Sequence, residues 1–384
     1  MKVAQLVAVL AVVAALAFVP NLQDATGFAP YYLIYGYFVF FWIAQATSWN
    51  ILSGYTGYFS FGQGAFYGLG VYAAGDLVTR EGVNYFLTIP IAGVLAAALG
   101  AAIGALAFRL GSLRGEIFAL LTLAVTFTLA SVAALSTWVD GGQGIALTIP
   151  DYPSFLGEFQ DLIYRLGLAV AALAVVTAFL IQGSRFGWGL FSIRDEEGVA
   201  EELGVPTFRY KMLAITITGF LGGLSGAVAA LQIGYLTPEG VFSLNVPLLV
   251  VVMCVLGGRQ HWLGPVLGAL VIYSLQEQLT NSGFGEWGQV ILGGILVVVI
   301  LFAPEGLYAR LRDDPRRAVL AGVTLVVTML VAAFAGWGIV TDWVGTGLAA
   351  ATLVLLVGGR RGRRRSLEER RDLAASTMGD AAAP

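Results

Sequence analysis

Apolar and polar positions along this chain separate into long blocks and do not alternate. Apolar runs cover Val3–Val19, Tyr31–Ile51, Ala65–Val78, Phe86–Phe108, Ile117–Trp138, Leu162–Ile181, Tyr210–Ile233, Ser243–Leu256, Leu263–Leu279, Val290–Ala303, Ala318–Ala335 and Ile339–Val357. A membrane-crossing helix needs about 20 such residues, so the pattern predicts about ten to twelve transmembrane helices, with the shorter runs the weaker candidates for full crossings. Strands of a membrane barrel are short and alternate in character, which these continuous runs do not. The first run also has the look of a signal peptide, because Lys2 precedes it and Ala15-Leu16-Ala17 resembles a cleavage site. An uncleaved first span is the reading adopted.

Composition agrees with the blocks. Of the 384 residues 58% are hydrophobic and 12% charged, whereas a soluble domain carries roughly 25% charged residues. The expected fold class is an all-α polytopic membrane protein. The net charge of −3 decides little; the placement of the cations decides more. With the N-terminus inside and every run a crossing, the outside loops hold only Arg80 and Arg165. The inside loops hold Lys2, Arg109, Arg114, the cations between Arg185 and Lys211, Arg259, the Arg310–Arg317 group and the arginines from Arg360 to Arg371. Cytoplasmic loops are enriched in Lys and Arg, so both termini are expected in the cytoplasm. The loop Asp140–Asp161 is then outside. Trp49, Trp138, Trp188, Trp262, Trp287, Trp337 and Trp343 lie at or near run ends, where interfacial anchors belong.

One segment breaks the apolar pattern. Ser184 to Lys211, SRFGWGLFSIRDEEGVAEELGVPTFRYK, is dense in charge and lies between two runs. Asp195, Glu196, Glu197, Glu201 and Glu202 are expected in the first part of a helix, where acids suit the dipole. Val199, Leu203 and Val205 give it an apolar edge, and Gly204 followed by Pro206 is a stop signal. A short polar helix on the inner side of a membrane is a place to grip a soluble partner.

Two glycine-rich stretches also stand out. Leu52–Gly70, LSGYTGYFSFGQGAFYGLG, places Ser53, Gly54, Tyr55, Thr56, Gly57, Ser60, Gly62, Gln63 and Gly64 at the edge of apolar sequence. Irregular backbone at membrane depth survives only where protein buries it or a cavity adjoins it, and broken helices mark transport paths. Gly54, Tyr55, Gly57, Ser60, Gly62, Gln63 and Gly64 are therefore candidates for lining or gating a pathway; a tight turn between spans is the plainer reading. Gly257–Gly268, GGRQHWLGPVLG, has a similar flavour through Gly257, Gly258, Gly264 and Pro265. Glycines four apart, at Gly64/Gly68, Gly100/Gly104, Gly222/Gly226 and Gly264/Gly268, suit close helix packing.

Chemistry is sparse. The one cysteine, Cys254, lies in an apolar run, and the one histidine, His261, cannot build a multi-histidine metal site. No catalytic constellation is present and no metal or cofactor is expected in the chain. A phosphate loop needs a lysine after its glycines, and the only lysines are Lys2 and Lys211.

The stretches FGQGAF and AEELGVPTFRYK, the run Gly222-Gly223-Leu224-Ser225-Gly226, then GGRQHWLGPVLGA and APEGL occur in an order that resembles the LivM-type permease subunit of branched-chain amino-acid ABC importers. The resemblance covers roughly residues 40–310. It implies a transport subunit, not an enzyme, in the cell membrane of a prokaryote. A second, LivH-like permease would pair with it, and two cytoplasmic ATPase subunits would hydrolyse the ATP. An extracytoplasmic substrate-binding protein would deliver the cargo; no nucleic acid is involved. It also implies that the segment holding Asp195, Glu196, Glu197, Ala200, Glu201, Leu203 and Gly204 couples to an ATPase groove. The chain departs from the family at Gln63, where His is usual, at Gln260-His261, where Gly-Thr is usual, and at Glu305, where Arg is usual.

The expected organisation is a permease domain over residues 1–310, an accessory apolar hairpin over 318–357, and a basic tail over 358–384 lying on the anionic inner leaflet. Urea or another small amide is the alternative cargo. A secondary transporter is the rival of another class. It would need ionisable residues within spans, and Asp76 and Glu277, both near run ends, are what the chain offers.

Overall fold

The computed structural model describes residues 2–22, 30–109, 115–136, 142–150, 152–153, 156–281, 293–294 and 306–308. The runs Ala318–Ala335 and Ile339–Val357, the hairpin, the tail and nearly all of Val290–Ala303 lie outside the described residues. Packing divides the chain into two units, Met1–Tyr273 and Ser274–Pro384. In the second, the last residues of a helix, 293–294 and 306–308 are described, with Leu307 buried. The first unit carries everything that follows.

The helices are α1 (Lys2–Ala17), α2 (Pro30–Trp49), α3 (Gln63–Thr79), α4 (Tyr85–Arg109), α5 (Glu116–Leu135), α6 (Phe159–Gln182), α7 (Arg185–Glu202), α8 (Thr207–Ile233), the single turn α9 (Pro238–Val241), α10 (Asn245–Gly257) and α11 (Leu263–Asn281). Except for α7 and α9, each falls on an apolar run. Four of them (α4, α5, α6 and α8), together with the stretch Pro238–Gly257, are long and apolar enough to cross a membrane. Local signals set the boundaries. Asp161 accepts a bond from the Glu158 N–H at 2.9 Å at the start of α6, and Ser184 Oγ accepts one from the Gly187 N–H at 3.1 Å at the start of α7.

Among the described residues the only strands are β1 (Ile145–Ala146) and β2 (Tyr235–Leu236), paired antiparallel with Ile145 opposite Leu236. This bridge ties the loop after α5 to the exit of α8. At the same end, a Cβ on Gly75 near the end of α3 would strike Leu236. Elsewhere the turn between α10 and α11 gathers two other helix ends: Gln182 Nε2 at the end of α6 donates to the Gln260 carbonyl at 3.2 Å, and Gly54 lies against Arg259.

At the centre stand α2 and α8. Every residue from Val39 to Thr56 is buried. The glycine-rich face of α8 lets neighbouring backbones approach closely: a Cβ on Gly223 would sit 2.7 Å from the Ala92 carbonyl of α4, and one on Gly226 would strike the Tyr67 carbonyl of α3. Association in lipid relies on such van der Waals contact between small residues. The Gly222/Gly226 and Gly100/Gly104 pairs therefore serve packing.

The polar segment is longer than its acidic part, and its acids open only the second of two helical pieces. α7 starts at Arg185, capped by Ser184, and the acids arrive about three turns later. There Glu196 adopts an extended conformation (φ −162°, ψ 104°) that breaks the helix into two pieces.

Candidate functional site

The first glycine-rich stretch is an interruption of a central helix. α2 runs into a π turn, Asn50–Gly54, Tyr55 and Thr56 add two helical residues, and the chain is irregular from Gly57 to Gly62 before α3 begins. Such irregular backbone leaves polar groups free, and side chains take them up. Trp49 Nε1 donates to the Ser60 carbonyl at 2.6 Å, the Thr56 hydroxyl to the Leu52 carbonyl at 2.6 Å, and the Gly62 N–H to Ser60 Oγ at 3.0 Å. The Phe61 N–H donates to Thr122 Oγ1 of α5 at 3.0 Å. Gly57 takes φ +77°, open to glycine and rarely to other residues.

Of the sequence-chosen residues here, Gly54, Tyr55, Ser60, Gly62, Gln63 and Gly64 are buried and Gly57 is exposed. Gln63 opens α3 and points into α2: its Nε2 donates to Gln45 Oε1 and, at 2.8 Å, to Ser48 Oγ. The Thr218 hydroxyl of α8 donates to the Ser48 carbonyl at 2.9 Å. Around this chain, Gln45 Nε2, Thr47 Oγ1, Ser53 Oγ and Gln63 Oε1 have no hydrogen-bond partner among the described residues. Each such buried group costs roughly 1–3 kcal/mol. A polar strip with that cost, inside an otherwise apolar bundle, is a place where polar cargo or a rearranged backbone would be stabilised.

The second glycine-rich stretch meets the first. Gly258 (φ +110°) turns α10 into α11, and side chains at Gly257 or Gly264 would collide with the facing carbonyls of that turn. Pro265 falls in the first turn of α11, where its missing N–H does no harm. A Cβ on Gly54 would lie 2.7 Å from the Arg259 carbonyl, so the two glycine elements touch. Cys254 donates its thiol to the Ala46 carbonyl at 3.1 Å.

α7 presents two faces. Asp195, Glu196, Val199, Glu201, Glu202, Leu203 and Gly204 are exposed, Leu203 at 80%. Glu197 and Ala200, chosen with them from sequence, turn inward instead. Glu197 Oε1 pairs with Lys211 Nζ at 2.6 Å, with both side chains under a tenth exposed. The Tyr58 hydroxyl donates to Glu197 Oε2 at 2.7 Å. Lys211 also lies over the rings of Tyr58 and Phe108, 5.0 Å from each centroid. Tyr58 and Gln45 escaped the sequence reading. The signal for Tyr58 was Lys211 itself: a lone lysine entering an apolar span must be paired, and the pair brings its neighbours with it.

No cluster of metal-ligating side chains occurs among the described residues.

Known proteins resemble this chain over the same region. The LivM permease proteins of the high-affinity branched-chain amino-acid transport systems of Escherichia coli and Salmonella typhimurium are 27% and 26% identical over 290 residues, 69% of this chain and 67% of each relative. The LsrC permease protein of the autoinducer 2 import system of Klebsiella pneumoniae is 27% identical over 170 residues, 43% of this chain and 47% of the relative. No solved structure matches. Together with its apolar helices, these likenesses make the chain a multi-pass cell-membrane protein of a bacterial ABC import system. The family described as "Branched-chain amino acid transport system / permease component" matches residues 31–300, most of the chain, and to that permease family the protein belongs.

Proposed function

We propose that the protein is one of two membrane subunits of an ATP-driven importer whose cargo is branched-chain amino acids. The chief support is the family match over residues 31–300 together with relatives named for that transport system. In this reading a second, LivH-like permease completes the pathway, two separate ATPase subunits hydrolyse the ATP, and an outer binding protein delivers the amino acid. The end of the bundle that carries α7 is cytoplasmic, in keeping with the arginine bias. The exposed face of α7, with Val199 and Leu203 among Glu201 and Glu202, docks on an ATPase. The π turn and the segment up to Gly64 form the moving part of the pathway. The burial of Gly54, Tyr55, Ser60, Gly62, Gln63 and Gly64 within this chain favours a gate over a fixed wall.

Cargo of another kind is the second reading, because relatives of the chain include a permease named for autoinducer 2 import; urea or another small amide belongs to the same alternative. A secondary transporter has less support, since Asp76 is already paired with Arg80 at 3.2 Å one turn away.

The test is reconstitution. The two permeases and ATPases, placed in liposomes with binding protein outside and ATP inside, should accumulate radiolabelled leucine against its gradient. This chain alone should not. Accumulation by the single chain under an imposed ion gradient would favour the secondary transporter, and transport of a small amide with none of leucine would replace the cargo.

A further inference from the structure

α7 touches the irregular segment after the π turn at three successive places. The Tyr55 and Phe191 rings lie 5.1 Å apart at 60°. Gly57 faces Arg194, and a Cβ there would be 3.6 Å from Arg194 Cβ. Tyr58 bonds Glu197, which holds Lys211 at the entry to α8. The Tyr58 ring is itself set edge-on between Phe108 of α4 and Phe118 of α5, both centroids at 5.4 Å. Residues 191, 194 and 197 of one element thus meet residues 55, 57 and 58 of the other, while the exposed face of α7 looks away from them.

Two properties separate this junction from ordinary packing. It contains a buried ion pair, which contributes little net stability relative to apolar packing but is costly to leave half-made. It also joins the surface element to the irregular stretch Gly57–Gly62 between two buried helices. Resting on the permease reading above, we propose that Glu197, Lys211 and Tyr58 are positioning residues of a rigid strut. When an ATPase displaces α7, the strut carries that displacement into residues 55–62 and so moves the gate. A loose apolar contact would let α7 slide; a hydrogen-bonded charge pair with fixed geometry makes the two elements travel together.

The experiment reads motion and transport separately. Phe61→Cys places a thiol in the irregular segment; Cys254, the chain's one native cysteine, is buried and contributes little background. In the assembled importer, maleimide labelling of Phe61→Cys should change on adding ATP. In the Glu197→Gln/Lys211→Met variant, which removes both charges and leaves neither stranded, the complex should assemble to the native level while the ATP-dependent change disappears and leucine uptake falls with it. Tyr58→Phe, keeping the ring and losing the bond, should give an intermediate effect.

An ATP-dependent labelling change that persists in the charge-free variant would overturn the strut, as would its absence from the importer with the native pair. A labelling change that depends on the strut without any leucine uptake would instead overturn the cargo reading and leave the strut standing.

Discussion

Replacing Gly223 by alanine should loosen the bundle, although alanine is the better helix former. The residue sits on α8 where that helix crosses α4. A Cβ there would lie 2.5 Å from Ala96 Cβ and 2.7 Å from the Ala92 carbonyl. Carbon atoms rest comfortably about 3.5–4.0 Å apart, so the two helices must part by about 1 Å. Overpacking of that kind costs typically about 1–3 kcal/mol, and alanine returns only about 1 kcal/mol of helix propensity. The expected net loss is up to about 2 kcal/mol. At roughly 2–4 °C per kcal/mol for a domain of a few hundred residues, the melting midpoint in detergent should drop by several degrees. Gly198→Ala is the matched control. Its nearest non-backbone neighbour would be a Glu196 carboxylate oxygen at 3.8 Å, so it should gain a few tenths of a kcal/mol and never lose. The assay is the fraction of monodisperse protein recovered by fluorescence-detected size exclusion after heating. If Gly223→Ala melts at or above the native midpoint, the crossing is not held by backbone approach and the close-packing account fails.

Three further outcomes follow from the site. Leu203→Asp alters only an exposed position and should leave folding intact while weakening co-purification of the ATPases; Ala200→Pro, which breaks the second piece of α7 at about 3 kcal/mol or more, should do the same and also abolish substrate-stimulated hydrolysis. Unchanged pull-down in both would move the docking surface elsewhere. Gly62→Leu puts a side chain where a Cβ already meets Ser60 Oγ at 3.2 Å and Thr122 Cβ at 3.3 Å; uptake should be lost with membrane expression retained, and normal uptake would reduce the segment to a plain turn. Gln63→His should keep a donor toward Gln45 and Ser48 and so reduce uptake only modestly; failure to fold would mean that the glutamine pair is structural.

The helices were legible in the blocks of apolar residues because burial in lipid demands continuous runs, and Gln63–Thr79 emerged on the expected Ala65–Val78 run despite its glycines. Glycine spacing likewise foretold which faces meet. What sequence could not convey was direction around an axis. Glu197 and Glu201 read alike as acids on a polar helix, yet the extended residue Glu196 between the two pieces sends Glu197 inward and leaves Glu201 outside. The partnership of Tyr58 with Glu197 spans 139 positions, and no local pattern encodes it. The touching of the two glycine elements is of the same kind, a product of how α2 and α10 pack side by side.

The π turn at Asn50–Gly54 gives this stretch an unusual sensitivity to length. Each residue of an α-helix advances the chain by about 100° around its axis, and a π turn holds one residue more than an α turn. The extra residue therefore sets the angular phase of Tyr55 and Thr56, the helical residues that follow it. A substitution in this stretch changes one contact. An insertion or deletion of a single residue would instead rotate Tyr55 out of line with Phe191 and shift the point from which Gly57 and Tyr58 reach Arg194 and Glu197. The number of residues between Trp49 and Gln63 is thus a tighter requirement than their identity, and a one-residue deletion at Ile51 should damage the junction with α7 more than any single side chain placed there.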